Sequence, residues 1–348
     1  MFFVGFGLAI SLTKVKDFPP DTLIYALVID DFTNYDQSSY GVKFHSLINY
    51  FTFKLCLGYP IVFITFSTFY YFLGMIFIWK AYQVCYQSKR NSFSLYLLIF
   101  SIYPAALIII PTLLRESSTI LYIGYCMFII SKFSSGKNVR PLELIIFLMG
   151  FLSLCATRLI LGFSLLAVIC ATWLIKNLRP SKLAYLIIIV ALSALALNYI
   201  ATSFYQVDLS FEWVANFRSK YSEYGVEAFG TNLEWTTNLL KLKNTISLSI
   251  QYLLSPLPIL VDSNVMFRKT IPTLDAIFIV FITLLVFTQK NLRIQGLWIL
   301  WILFFLVPSA LMETNISGAY RHRMNVVVLL LPMFTSVVTS ICKKLILK

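Results

Sequence analysis

LELIIFLMGFLSLCATRLILGFSLLAVICATWLI, from Leu142 to Ile175, carries an acidic residue only near its start, Glu143, and one basic residue in its middle, Arg158. As a single helix it would be about 51 Å long at 1.5 Å per residue, too long for a hydrocarbon core of about 30 Å. Lys137 and Arg140 precede the run, and Lys176, Arg179 and Lys182 follow it. Basic flanks favour the cytoplasmic side of a membrane. The run is therefore expected to go out and come back, turning near Ala156-Thr-Arg158.

The same reading extends to the whole chain. Its 348 residues are 59% hydrophobic and 12% charged, with a mean hydropathy of +0.81, more apolar surface than a water-soluble globule can bury. The expected fold class is all-α: a polytopic integral membrane helical bundle forming one transmembrane domain over 1–348. Apolar length and charged flanks place ten spans at about 2–13, 57–79, 92–113, 118–131, 142–157, 159–175, 183–203, 273–289, 296–312 and 324–342. The start, Met1 to Leu12, lacks the charged residues and Ala-x-Ala-like site of a cleavable signal peptide. The six cysteines show no CxxC and no pairing framework, so neither a disulfide scaffold nor a zinc site is expected.

Charge sets the orientation. The segments after the spans ending near 79, 131, 175 and 289, with the C-terminal tail, hold 14 of the 28 basic residues and one acidic residue, Glu143; the remainder holds the other 14 basic and 14 acidic residues. The net charge of +13 thus lies on one side, which is expected to be cytoplasmic together with both termini. It reports orientation and attraction to membrane lipids rather than nucleic-acid binding. Two outer segments follow, a first loop at 14–56 and a large loop at 204–272. Alternating charges and aromatics in the large loop predict short amphipathic helices, and Ile246 to Val261 reads as an interfacial or re-entrant piece because Pro256 and Pro258 oppose a regular span.

No Walker loop, GxGxxG, HExxH or GxSxG is present, and the spans carry almost no ionisable groups at mid-depth, so hydrolase, nucleotide-dependent and transporter chemistry lack support. Arginines instead gather at the outer ends: Arg115, Arg158, Arg218 with Arg268, and Arg321 with Arg323. Arg115 beside Glu116 reads first as a local ion pair at a helix end. Arg158 stands in a turn with few polar neighbours, where a guanidinium needs an anion or a route to water. Arg321-His322-Arg323 precedes an apolar run on the face where basic residues are disfavoured, which favours function over anchoring. His45 reads as a solvated loop residue, and Trp213 and Trp235 as interfacial anchors on which a sugar can also stack. Guanidinium groups bind phosphate oxygens bidentately and can stabilise a leaving diphosphate without a metal, so the pattern suits a lipid-linked diphosphate at the outer interface.

Five spaced motifs carry a family resemblance: Asp21-Thr-Leu-Ile-Tyr25, Leu114-Arg-Glu-Ser117, Arg158 at a hairpin end, Leu254-Ser-Pro-Leu-Pro258, and Asn315-Ile-Ser-Gly-Ala-Tyr-Arg-His-Arg323. In their order the chain resembles a Wzy-type O-antigen (oligosaccharide repeat unit) polymerase, with a first apolar run shorter than that family's first span. The resemblance implies a glycosyltransferase that joins undecaprenyl-diphosphate-linked repeat units at the periplasmic face of the inner membrane. No clustered outer Asp/Glu motif stands out as a cation site, so no metal and no cofactor are expected, and the resemblance makes a polysaccharide chain-length regulator a candidate partner. Arg158, Arg321, Arg323 and Arg115 are then the candidate diphosphate ligands. His322, Asp21, Glu116 and Glu313 are the candidate bases, and Trp213, Trp235 and Tyr25 the candidate sugar contacts.

Rival readings are an O-antigen ligase, a lipid-linked oligosaccharide flippase and a non-enzymatic scaffold. Ligases are similar to one another in a histidine within the large loop, and residues 204–272 hold none. A flippase would place arginines in a central cavity, and a scaffold has no use for arginines at the outer ends.

Overall fold

The computed structural model describes residues 44, 45, 47, 60–86, 92–110, 115–177, 210–222, 228–257, 270–287 and 295–346. Among these the chain is all-helical, with twelve helices and one isolated bridge, Ala228 to Asn315. It divides into two compact units, Met1–Gly162 with Leu331–Lys348, and Phe163–Leu330.

The first unit contains α1 (Pro60–Tyr86), α2 (Phe93–Ser101), α3 (Pro104–Ile109), α4 (Glu116–Ser134) and α5 (Pro141–Thr157). Its centre is the crossing of α1 and α4, where Gly74 and Gly124 meet: a Cβ on Gly74 would lie 2.7 Å from the Ile120 carbonyl oxygen. Small residues let two helix backbones approach this closely. The Tyr96 hydroxyl donates to the Met75 carbonyl at 2.9 Å and its ring stacks on Trp79 at 4.7 Å, fastening α2 to α1. The run expected as one span at 92–113 is instead α2 followed by α3. Pro104 stands at the start of α3, where its missing N–H leaves nothing unbonded, whereas inside a continuous helix it would remove a hydrogen bond. Lys132 Nζ reaches both Glu143 oxygens, at 2.6 and 2.8 Å, and the Arg140 N–H donates to Glu143 Oε2 at 3.0 Å, joining the end of α4 to the start of α5.

After α5 the backbone turns extended at Arg158, with φ −151° and ψ 93°, before α6 (Leu159–Asn177) begins. The break falls where the two-way reading of 142–175 put it. The second unit holds α7 (Phe211–Ser222), α8 (Asn238–Leu254), α9 (Thr270–Phe287), α10 (Gly296–Met312), α11 (Ile316–His322) and the first turns of α12 (Met324–Ile346). Trp298 Nε1 donates to the Leu329 carbonyl at 2.8 Å and Trp301 Nε1 to Thr172 Oγ1 at 2.9 Å, so both buried indoles place their apolar bodies in the core without losing their polar partners.

By length and composition, two described helices can cross a membrane, Thr270–Phe287 and Met324–Cys342, and Pro141–Thr157, Leu159–Ile175 and Gly296–Met312 are shorter apolar helices. These lie on the runs expected at 142–157, 159–175, 273–289, 296–312 and 324–342. The runs at 2–13 and 183–203 lie outside the described residues. The piece expected from Ile246 onward begins earlier, at Asn238, because Thr237 Oγ1 accepts the Leu240 N–H at 3.3 Å and caps a helix there.

Gly74→Val should lower stability by about 1–3 kcal/mol through overpacking of the α1–α4 crossing. Gly296→Ala, where a Cβ meets nothing within 4 Å, should leave it unchanged. Thermal unfolding in detergent measures both; equal midpoints would show that the crossing has room to spare.

Candidate functional site

The polar tip between α10 and α12 is built within ten residues. Glu313 ends α10, its N–H donating to Ser309 O at 3.0 Å. Asn315 caps α11 by accepting the Ser317 N–H on Oδ1 at 2.8 Å, and its own N–H donates to Glu313 Oε1 at 3.1 Å. The other Glu313 oxygen, Oε2, pairs with His322 Nδ1, and His322 Nε2 faces Arg321 Nη2 at 3.1 Å. Gly318 makes the arrangement fit, since a Cβ there would lie 2.9 Å from Glu313 Oε2 and nearer still to Oε1.

Protons can be assigned along this line. A guanidinium only donates, so Nε2 of a neutral His322 holds the lone pair and Nδ1–H donates to the Glu313 carboxylate. The result is an imidazole oriented by a carboxylate, with its basic nitrogen turned to a cation. His322 and Glu313 are partly exposed, with side chains 23% and 12% accessible, so the pair is not sealed from solvent.

Two other arginines hold this tip in place. Arg218 on α7 is fully buried and donates from Nε to Gly230 O at 2.9 Å, from Nη2 to Phe229 O at 2.6 Å, and from Nη1 to Ala310, Leu311 and Glu313 carbonyls at 3.2, 2.9 and 2.8 Å. It thus satisfies the carbonyls left open at the end of α10. Burial pushes its pKa down to about 10, opposed by the Glu313 charge, so it stays a cation at neutral pH. The Phe229 N–H also donates to Thr314 O at 2.9 Å, beside the bridge to Asn315.

Arg323 is buried too. Its Nε and Nη2 bind Asp275 Oδ2 at 2.8 and 2.6 Å, Nη2 also reaches Pro272 O at 3.1 Å, and Nη1 donates to Leu253 O at 2.9 Å and to Ser255 O. These are five contacts for the five N–H groups of a guanidinium. Asp275 is likewise fully buried. Arg323, expected beside Arg321 as a diphosphate ligand, instead has its donors engaged within the protein. Asp275 is not among the residues that the sequence singled out, although a lone carboxylate five residues into an apolar helix is itself a signal.

The first unit gathers a second polar cluster. Arg158 Nη2 pairs with Glu116 Oε1, forty-two residues away in the sequence. Arg115 Nη1 donates to Thr157 O at 2.8 Å, closing the end of α5. Ser118 Oγ lies 3.4 Å from His45 Nδ1, and His45 is buried rather than solvated as its loop context implied. Arg115, Glu116 and Arg158 therefore come together in one unit, and Glu313, Arg321, His322 and Arg323 in the other.

Of the sugar candidates, Trp235 is buried with its ring stacked on Phe211 at 5.5 Å, whereas Trp213 is half-buried and stacked on Phe217 at 5.1 Å. Asp21 and Tyr25 lie outside the described residues. Among the described residues no three His, Cys, Asp or Glu side chains come together to hold a metal ion.

No family model, curated protein or solved structure matches this chain.

Asp275→Ala leaves the Arg323 charge buried without its carboxylate and should cost about 3–5 kcal/mol. Arg321→Lys, on the partly exposed tip, should change stability by under about 0.5 kcal/mol. Thermal unfolding of the purified variants measures the contrast; an unchanged midpoint for Asp275→Ala would mean that the pair does not support the fold.

Proposed function

We propose that this chain is a polytopic membrane protein of the bacterial inner membrane and a Wzy-type O-antigen polymerase, a glycosyltransferase acting at the periplasmic face on undecaprenyl-diphosphate-linked repeat units. The observation that carries this reading is the Glu313–His322–Arg321 line, which puts a positioned base next to a cation at the end of two apolar helices. The membrane part is supported by the two spanning-length helices and by apolar side chains exposed along helices, including Leu142, Ile145, Leu148 and Leu152 on α5 and Leu274, Phe281 and Leu284 on α9.

In the proposed reaction an acceptor hydroxyl gives its proton to His322 Nε2 while its oxygen bonds to the anomeric carbon of the growing chain. The carbon–oxygen bond to the diphosphate breaks and its electron pair leaves with undecaprenyl diphosphate. Glu313 orients the imidazole and stabilises the imidazolium that forms. Arg321 must turn from Nε2 before that nitrogen can take a proton, and an incoming diphosphate is the anion that would draw it away. Arg323 and Arg218 act by holding the tip. Arg158 with Arg115 and Glu116 remain the candidate anion-binding and acid–base groups of the first unit, and Trp213 with Phe217 the aromatic surface for a sugar ring.

A deletion strain complemented at matched membrane abundance tests the assignment through its chain-length ladder. His322→Ala should slow polymerisation by about 100- to 10,000-fold, the range for a lost general base. Arg321→Lys keeps the charge but loses the planar fork and should cost about 30- to 1000-fold. Full ladders from both would show that the tip is not the active site. Orientation is tested separately: cysteine labelling should reach residues 35 and 225 from outside and residues 135 and 345 from the cytoplasm, and a cytoplasmic residue 225 would put the tip in the wrong compartment.

A further inference from the structure

α8 has two faces of opposite character. At 100° per residue, Leu239, Leu242, Ile246 and Ile250 fall within an arc of about 80° on one side. They are 76%, 60%, 52% and 44% exposed. On the other side Asn244, Leu248, Gln251 and Tyr252 are buried, and Asn244 Nδ2 donates to Glu234 O at 2.6 Å while Gln251 Nε2 donates to Leu257 O at 3.1 Å. The inward face is therefore fastened by polar as well as apolar contacts, which fixes the direction of the outward one.

The composition of the helix excludes a span. It has 17 residues with Lys241, Lys243 and Asn244 in its first half, where a span needs about 20 mostly apolar ones. Lys241 turns back over the Phe211 ring at 5.7 Å, whereas Lys243 is exposed and borders the apolar stripe. Four side chains offer far less than the roughly 800 Å² per partner of a stable protein interface. α8 also packs on α9 in the same unit, a helix of spanning length with its own exposed apolar side chains.

From the stripe, its basic border and its neighbour we infer that α8 docks on a lipid surface, lying in the plane of the outer leaflet with Leu239, Leu242, Ile246 and Ile250 among the acyl chains and Lys243 beside lipid phosphates. This inference rests on the membrane reading above. An amphipathic helix with one apolar face and a flanking lysine is the form that binds at this depth. The carbonyls of Leu253 and Ser255 at its end accept from Arg323, so the same helix would set the depth of the tip that carries His322.

The test uses the full chain in phospholipid vesicles, on a cysteine-free background with an environment-sensitive fluorophore at Leu242→Cys, at Phe281→Cys on α9, or at Asn216→Cys on α7. Lipids brominated near the headgroup end of their chains should quench the Leu242 probe by about twofold, as expected at interfacial depth, while aqueous iodide should not. Deeply brominated lipid should quench the Phe281 probe, and iodide the Asn216 probe. Iodide quenching at Leu242 would show a helix in water and overturn the inference. Protection of Leu242 from both quenchers would show a protein cover, such as a second copy, and would also overturn it. If the Phe281 probe escapes bromine, the membrane reading itself fails, which separates that failure from the failure of the α8 placement alone.

Discussion

A buried guanidinium has to find acceptors for its N–H groups, and the second unit is arranged around two of them. Arg323 ties the start of α12 to α9 through Asp275 and Pro272 and to the end of α8 through Leu253 and Ser255. Arg218 ties α7 to the end of α10 and to the segment at Phe229 and Gly230. Between them the tip from Glu313 to Arg323 is held at both ends. Removing either charge would leave several buried carbonyls open at once, so each arginine supports more backbone than its own contacts suggest.

Such rigidity is what the proposed catalytic line would require. Glu313 accepts from the Asn315 N–H and pairs with His322 while its own carbonyl is bound by Arg218, so the carboxylate has little freedom to leave the imidazole. In the proposed role a general base needs its geometry held and its tautomer set; the carboxylate on Nδ1 would do the first, and with the guanidinium facing Nε2 it would fix the second until Arg321 turns away. The neighbouring arginines then divide by exposure. Arg323 is committed to the fold, while Arg321, two residues earlier and partly exposed, faces the basic nitrogen.

The sequence marked the tip but not this division. Arg321, His322 and Arg323 stand out because three cationic or titratable residues precede an apolar run, yet adjacent residues on a helix point about 100° apart and meet different partners. Which of them turns inward depends on where Asp275 lies, forty-eight positions away. Glu116 is similar: its neighbour Arg115 is the evident partner in sequence, but the break at Arg158 brings that arginine to it from forty-two residues along the chain, while Arg115 Nη1 donates to the Thr157 carbonyl. His45 is the opposite case, since a polar residue in loop-like sequence reads as solvent-facing until a neighbour covers it; Trp235, read as an interfacial anchor, is buried against Phe211.

By itself the sequence determined the helical class, the positions of most apolar helices among the described residues, and the break at Arg158. These follow from local quantities: run length, flanking charge, and the cost of a proline or a lone arginine within an apolar helix. The split at Pro104 and the early start of α8 at its Thr237 cap were also written in local residues, though apolar run length alone passed over both. Only the tertiary structure decided which arginines are engaged inside the protein and which meets a base, that Glu313 is the partner of His322, and which face of α8 is left uncovered. Pairing of charges depends on distances through space between residues far apart in the chain, and burial depends on every neighbour at once, so neither can be read from spacing along the sequence.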